Sequence, residues 1–122
     1  MRGLHLTADL YQCRCEPRWL GDAAALGDWA RQATEAAGLE VLHEVCHPGA
    51  DHDGNTVALL LAHSHVCLHT WPRQRGVSVD VYLASGGDDL SARAGALMHA
   101  LVNRFAPEWT EQRSLDRGTE GA

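Results

Sequence analysis

Leu4, Leu6, Ala8 and Leu10 alternate with His5, Thr7, Asp9 and Tyr11 near the start of the chain. A period of two marks a strand with one buried face, because successive side chains point to opposite sides. The period then changes. Leu26, Trp29, Ala30 and Ala33 form a helical stripe within residues 22–37, with Asp22 placed to cap the first turn and Gly38 to end the last. Residues 39–46 read as a second strand, and residues 47–55, HPGADHDGN, as a loop by composition. The mostly apolar run TVALLLA, residues 56–62, suits an inner strand, and residues 65–71 alternate again. These two runs are nearly continuous and can be read as one strand interrupted at Ser64. Residues 72–76 form a polar turn, and residues 77–84 are the partner strand. A second helix, capped by Asp88 and Asp89, carries the stripe Leu90, Ala94, Leu97, Met98, Leu101 and Phe105. Pro107 follows its end, and residues 108–115 form a last short strand.

The order strand, helix, three strands, helix, strand predicts an α+β domain spanning residues 1–122: an antiparallel sheet with two helices on one face. It is close to the βαββαβ order of split-βαβ folds. Two helix stripes cover only one face of a sheet. The other face carries the histidines and is expected to meet a second copy of the chain.

Composition narrows the function classes. A net charge of −6 provides no basic surface for nucleic acid or an anionic membrane. No apolar run approaches membrane-spanning length, and the alternating N-terminus lacks a continuous apolar signal segment. A cytoplasmic location is the expectation, and Cys13, Cys15, Cys46 and Cys67 are then expected as reduced thiols. All ten basic residues are arginine. Without lysine the chain cannot hold pyridoxal phosphate as a lysine imine, nor use a lysine nucleophile. Any amine–carbonyl chemistry needs a carbonyl from another source.

The chemistry concentrates in residues 62–72, AHSHVCLHTWP, and the following VSVDVY. On a strand, His63, His65, Cys67, His69 and Trp71 share one face, and Val66, Leu68 and Thr70 the other, with Ser64 among the latter unless the strand kinks. Histidine and cysteine are good ligands for zinc or nickel. Residues two apart on a flat strand are about 6.5–7 Å apart, so pairs could chelate but His63, His65, Cys67 and His69 would not converge. His47, Asp51, His52 and Asp53 form a looser second group that suits a solvated loop. A metal-centred function is therefore a rival reading, and no metal is expected in the site.

Ser64-His65, His69-Thr70-Trp71-Pro72 and Val79-Asp80-Val81-Tyr82 resemble, in order and spacing, the self-cleavage region of the prokaryotic S-adenosylmethionine decarboxylases, a pyruvoyl-dependent family. Residues 4–13, LHLTADLYQC, resemble its first strand, and RSLDRG, residues 113–118, its tail. The resemblance implies stacked sheets in a homodimer and cleavage between His63 and Ser64, with Ser64 becoming a pyruvoyl group. That carbonyl would capture the amine of a small-molecule substrate and act as electron sink while CO₂ leaves. His69 would assist processing. Thr56 falls near the family's active-site serine and keeps its hydroxyl. Trp71, Asp80 and Tyr82 would line the substrate pocket. The default substrate is S-adenosylmethionine, decarboxylated to the aminopropyl donor of polyamine synthesis.

Three positions depart from the family pattern. His63 replaces the acidic residue before the serine. Ala84 replaces the cysteine that serves as proton donor; with the hairpin turn centred near Gly76, His69 would lie opposite Ala84 and Cys67 one pleat away, so Cys67 is expected to supply the thiol. The loop before the cleavage strand, residues 44–56, contains no Phe, Tyr or Trp to stack on adenine. These departures leave two further readings open: a pyruvoyl-dependent decarboxylase of a basic amino acid such as ornithine or arginine, and a non-processing paralogue that binds an amine or a partner chain.

Overall fold

A computed structural model describes residues 1–50, 53–85 and 89–118. Asp51, His52 and Asp88, which entered the sequence reading, lie outside these residues. Six strands form one antiparallel sheet: β1 (Arg2–Tyr11), β2 (His43–Pro48), β3 (Asn55–Leu61), β4 (Ser64–Trp71), β5 (Gly76–Ser85) and β6 (Trp109–Gly118). Their order across the sheet is β2-β3-β4-β5-β1-β6, so the first strand lies deep inside it. Helices α1 (Arg18–Gly21), α2 (Ala23–Ala36) and α3 (Ser91–Phe105) complete the fold. α2 packs on β2 and β3, and α3 on β5 and β1.

The expected α+β layer is present. Ala8, Leu10, Val57, Leu59, Val66, Leu68, Val77, Val79, Val81 and Leu83 are buried between sheet and helices, facing Leu26 and Ala30 of α2 and Ala94, Leu97, Leu101 and Phe105 of α3. Asp22 caps α2 by accepting a hydrogen bond from the Ala25 amide at 3.1 Å, and Gly38, at φ +86°, turns the chain away beyond its end. Asp89 Oδ1 accepts from the Ser91 amide and hydroxyl at 2.9 and 2.7 Å.

The four-residue α1 has no periodicity that could announce it. It is held by its own end: the Leu20 carbonyl accepts from Asn55 Nδ2 at 2.9 Å and from Thr70 Oγ1 at 2.7 Å. Both polar side chains are buried and thereby satisfied. β2 begins four residues later than the alternation of 39–46 suggested. Leu39 and Val41 pack against the core from the connection before the strand, so their hydrophobicity reflects burial rather than pairing.

Strands β3 and β4 are two arms of a hairpin, not one interrupted strand. Leu61 pairs with Ser64, which leaves Ala62 and His63 as the turn. His63 has φ +58°, so it sits in the corner and not on the strand face. The β4–β5 hairpin also differs in register. Trp71 pairs with Gly76, His69 with Ser78 and His65 with Tyr82. The turn is 72–75, and its left-handed residue is Arg75, at φ +51°, rather than glycine. Tertiary bonds hold it there: Arg75 donates from Nε to the Cys13 carbonyl at 2.6 Å and from a terminal nitrogen to the Cys15 carbonyl at 2.8 Å.

Candidate active site on the open sheet face

The helices leave one sheet face uncovered among the described residues. The strand registers arrange it in rows. One row runs His43, Leu60, His65, Tyr82, His5, Leu115; the next Val45, Ala58, Cys67, Asp80, Thr7, Arg113; the next His47, Thr56, His69, Ser78, Asp9, Glu111. Trp71, Gly76, Tyr11 and Trp109 close the far end, where the Tyr11 and Trp109 rings stack at 4.1 Å. Val45, Leu60, Trp71, Trp109 and Leu115 are each more than 40% exposed here. That is a large apolar contribution for a surface left in water.

Ser64 lies at one end, just past the His63 corner. Its Oγ accepts a hydrogen bond from the Ala84 amide at 3.0 Å. The β4–β5 register thus brings Ala84 beside Ser64 and not opposite His69. This corrects the basis for Cys67: it pairs with Asp80, three residues along β4 from Ser64, or about 10 Å. Cys67 does not reach the place where a cysteine at 84 would sit. Burial, and next the charge of Asp80, push its thiol pKa up. His63, Tyr82 and Ala84 line a cavity of about 530 Å³ at this end. A side chain at Gly3 would collide with the Tyr82 ring, its Cβ falling 2.7 Å from the hydroxyl. Glycine there allows Tyr82 to lie across β1.

The hairpin brings Thr56 and His69 together, with Thr56 Oγ1 and His69 Nδ1 at 3.0 Å. They are not beside Ser64. Five residues of β4 separate His69 from Ser64, roughly 16 Å at strand rise. Trp71 is farther still, lining with Asp9, Tyr11 and Ser78 a second cavity of about 360 Å³. The residues matched by the family motif therefore fall into two groups, Ser64 at one end of β4 and Thr56, His69 and Trp71 toward the other.

Between them is a cluster the sequence reading missed. His5 Nε2 lies 2.7 Å from Asp80 Oδ1, and His65 Nε2 lies 3.1 Å from Asp80 Oδ2. The Tyr82 ring meets His5 edge-on at 5.9 Å and His65 at 5.6 Å. Alternation had assigned His5 to the polar face of its strand. Its pairing with a residue 75 positions away depends on register, which no local pattern carries.

The chain is similar to known proteins along almost its whole length. The sequence profile of the S-adenosylmethionine decarboxylase family matches residues 4–118. The S-adenosylmethionine decarboxylase proenzyme of Pyrobaculum arsenaticum is 32% identical over 115 residues, covering 94% of this chain and 87% of the relative. That of Persephonella marina is 30% identical over 117 residues, covering 96% and 83%. Among solved structures, the adenosylmethionine decarboxylase from Aquifex aeolicus superposes with a TM-score of 0.83 at 27% identity, covering 96% of this chain and 91% of the other.

Proposed function

Because the chain belongs to the S-adenosylmethionine decarboxylase family, we propose that it matures by cutting itself between His63 and Ser64 and then decarboxylates S-adenosylmethionine through a pyruvoyl group made from Ser64. The observation that carries this reading is the Ser64 corner. The residue before the serine is held at φ +58°, a conformation costing a non-glycine residue roughly 1–2 kcal/mol. The strained residue supplies the carbonyl that Ser64 Oγ would attack. The Ala84 amide donates to that oxygen, so it fixes the nucleophile by one lone pair and leaves the hydroxyl proton free to depart.

In maturation the Ser64 Oγ–carbonyl bond forms and the His63–Ser64 amide breaks, giving an ester. Loss of the Ser64 Cα proton expels residues 1–63 as a free carboxylate. Water then releases the nitrogen as ammonia and leaves the keto group on the second fragment. A pyruvoyl group supplies a ketone that binds the substrate amine and accepts the electron pair released with CO₂.

The residues implied for processing, Thr56 and His69, are too far from Ser64 in the same molecule to act on it. The exposed apolar residues of the open face support face-to-face association of two copies. A two-fold arrangement would lay the His69 end of one copy over the Ser64 end of the other. Each composite site would then hold His63, Ser64 and Tyr82 from one copy and Thr56, His69 and Trp71 from its partner. With alanine at position 84, Tyr82 is our choice for the group that returns a proton to the product. With His63 and Ala84, the residues on either side of the Ser64 corner, it lines the cavity at this end, while Ser64 itself lines a neighbouring one with Leu61, Ala84 and Arg93.

Intact mass tests the central step. The purified chain should resolve into fragments of 63 and 59 residues, the second without a free amine, while Ser64→Ala stays whole. A wild-type chain that remains uncut after long incubation would overturn the reading. Tyr82→Phe should cut and then lose turnover. The absence of an aromatic in residues 44–56 favours a second substrate reading, a basic amino acid. Release of CO₂ from ornithine or arginine but not from S-adenosylmethionine would select it and leave the mechanism standing.

A further inference from the structure

We propose that His5, His65 and Asp80 form a binding site for a divalent transition metal of the zinc class, with Cys67 as the fourth donor. The three residues come from β1, β4 and β5, adjacent strands of the open face. Both imidazoles direct Nε2 at the same carboxylate, one at each oxygen. The three donor atoms all lie within 4.8 Å of one another. Zinc bonds of about 2.0–2.2 Å place tetrahedral ligands roughly 3.3–3.5 Å apart. The nitrogen–oxygen pairs at 2.7 and 3.1 Å would open by a few tenths of an ångström, and the widest pair, within 4.8 Å, would close by about 1.5 Å at most. Cys67 faces Asp80 directly in the β4–β5 ladder, and opposed residues on one face have Cβ atoms about 4.5–5.5 Å apart. The Cys67 thiol stands outside the three-donor group and would join the ion by turning toward Asp80.

The cluster reads as a metal site with protons in the metal's place. Each Nε2 lies at hydrogen-bond distance from one carboxylate oxygen. An ion bound between them would take the Nε2 lone pairs and replace both bridges. Coordination by Cys67 would release its thiol proton. The Tyr82 ring contacts hold both imidazole planes. In a single copy these side chains are 24–38% exposed, so an ion can enter before two copies pair. Two nitrogens, one oxygen and one sulfur favour Zn²⁺ or Co²⁺ over Mg²⁺ or Ca²⁺, which take oxygen ligands. The bound ion would cross-link three strands.

The test uses binding rather than turnover, on the Ser64→Ala chain, so it can fail without touching the decarboxylase reading. Titration with Zn²⁺ should saturate at one ion per chain and release one proton more than the Cys67→Ala chain does. Co²⁺ should give the visible spectrum of a four-coordinate ion with a thiolate charge-transfer band, and Mg²⁺ should give no heat. Adding Asp80→Asn or His5→Ala should weaken Zn²⁺ binding at least tenfold. Adding Cys67→Ala should keep the ion and remove both the charge-transfer band and that additional proton. If a double variant fails to fold by circular dichroism, the parent's Co²⁺ spectrum and the Cys67→Ala chain still decide. No saturable binding at micromolar Zn²⁺, or binding unchanged by Asp80→Asn and His5→Ala, would overturn the site.

Discussion

Cys67 and Leu68 are neighbours in sequence and belong to different problems. Leu68 lies on the inner face of the sheet with Val57, Val66, Val79 and Val81, fully buried under α2 and α3. Cys67 lies on the outer face among histidines, Asp80 and Thr7. Every strand contributes to both faces through alternate residues. The inner face is one apolar continuum whose members are interchangeable in kind. The outer face is a set of specific pairs, each meaningful only through its partner. A sheet can thus keep its fold while the chemistry on its other side changes.

The difference can be broken most completely at the outer face. Neither the His69→Ala chain nor the Ser64→Ala chain should cut itself. Mixed and allowed to exchange subunits, they should yield cleavage of the His69→Ala chain only, because the Ser64→Ala partner supplies an intact His69. The effect is all or none by intact mass, and cleavage of His69→Ala alone would sink the two-copy site. Next in size is the contrast along β4. Leu68→Ala should lose about 2–5 kcal/mol in urea unfolding, the cost of a buried cavity. Cys67→Ala, measured with chelator present, should stay within roughly 0.5 kcal/mol as a surface change does. Similar losses for the two would erase the distinction between the faces.

The smallest effect concerns a thiol behind the sheet. Burial pushes the Cys13 pKa up from an ordinary 9.0 to about 11. The folded state therefore favours the neutral thiol. Its contribution to stability is complete below pH 9 and is lost as pH rises from 9 to 11. The urea midpoint should fall more between pH 8 and about 10.5 in wild type than in Cys13→Ala. Equal falls would contradict the burial effect.

The same division explains what was legible in the sequence. The stripes Leu26–Ala30 and Ala94–Phe105, and the alternation from Leu4 to Leu10, gave element type and order because burial writes itself periodically. The Ser64 to Trp71 stretch revealed its two faces for the same reason. Register was not legible. A β4–β5 turn centred near Gly76 places Ala84 opposite His69, whereas the turn lies at 72–75 with Arg75 left-handed and held by the Cys13 and Cys15 carbonyls. That offset puts Ala84 beside Ser64 and His65 near Asp80, and the contact of His5 with Asp80 needs the β1–β5 register as well. Thr56 and His69 are each matched by family spacing, but their contact at 3.0 Å depends on the β3–β4 hairpin register, which the reading of 56–71 as one interrupted strand does not carry.

The strand order has a consequence for a cut molecule. Residues 1–63 contain β1, β2 and β3, and residues 64–122 contain β4, β5 and β6. In the sheet these do not separate into halves: β3 abuts β4, β5 abuts β1, and β1 abuts β6. Three seams of backbone hydrogen bonds join the two fragments, so scission at the turn releases nothing. It does change the order of the folding reaction. Before the cut, the chain assembles itself at any dilution. Afterwards, unfolding is also dissociation, and recovery requires two interleaved pieces to meet. If the chain cuts itself at His63–Ser64 as proposed, folding comes first and cleavage second, and a cut molecule that is once denatured should refold at a rate that depends on its concentration.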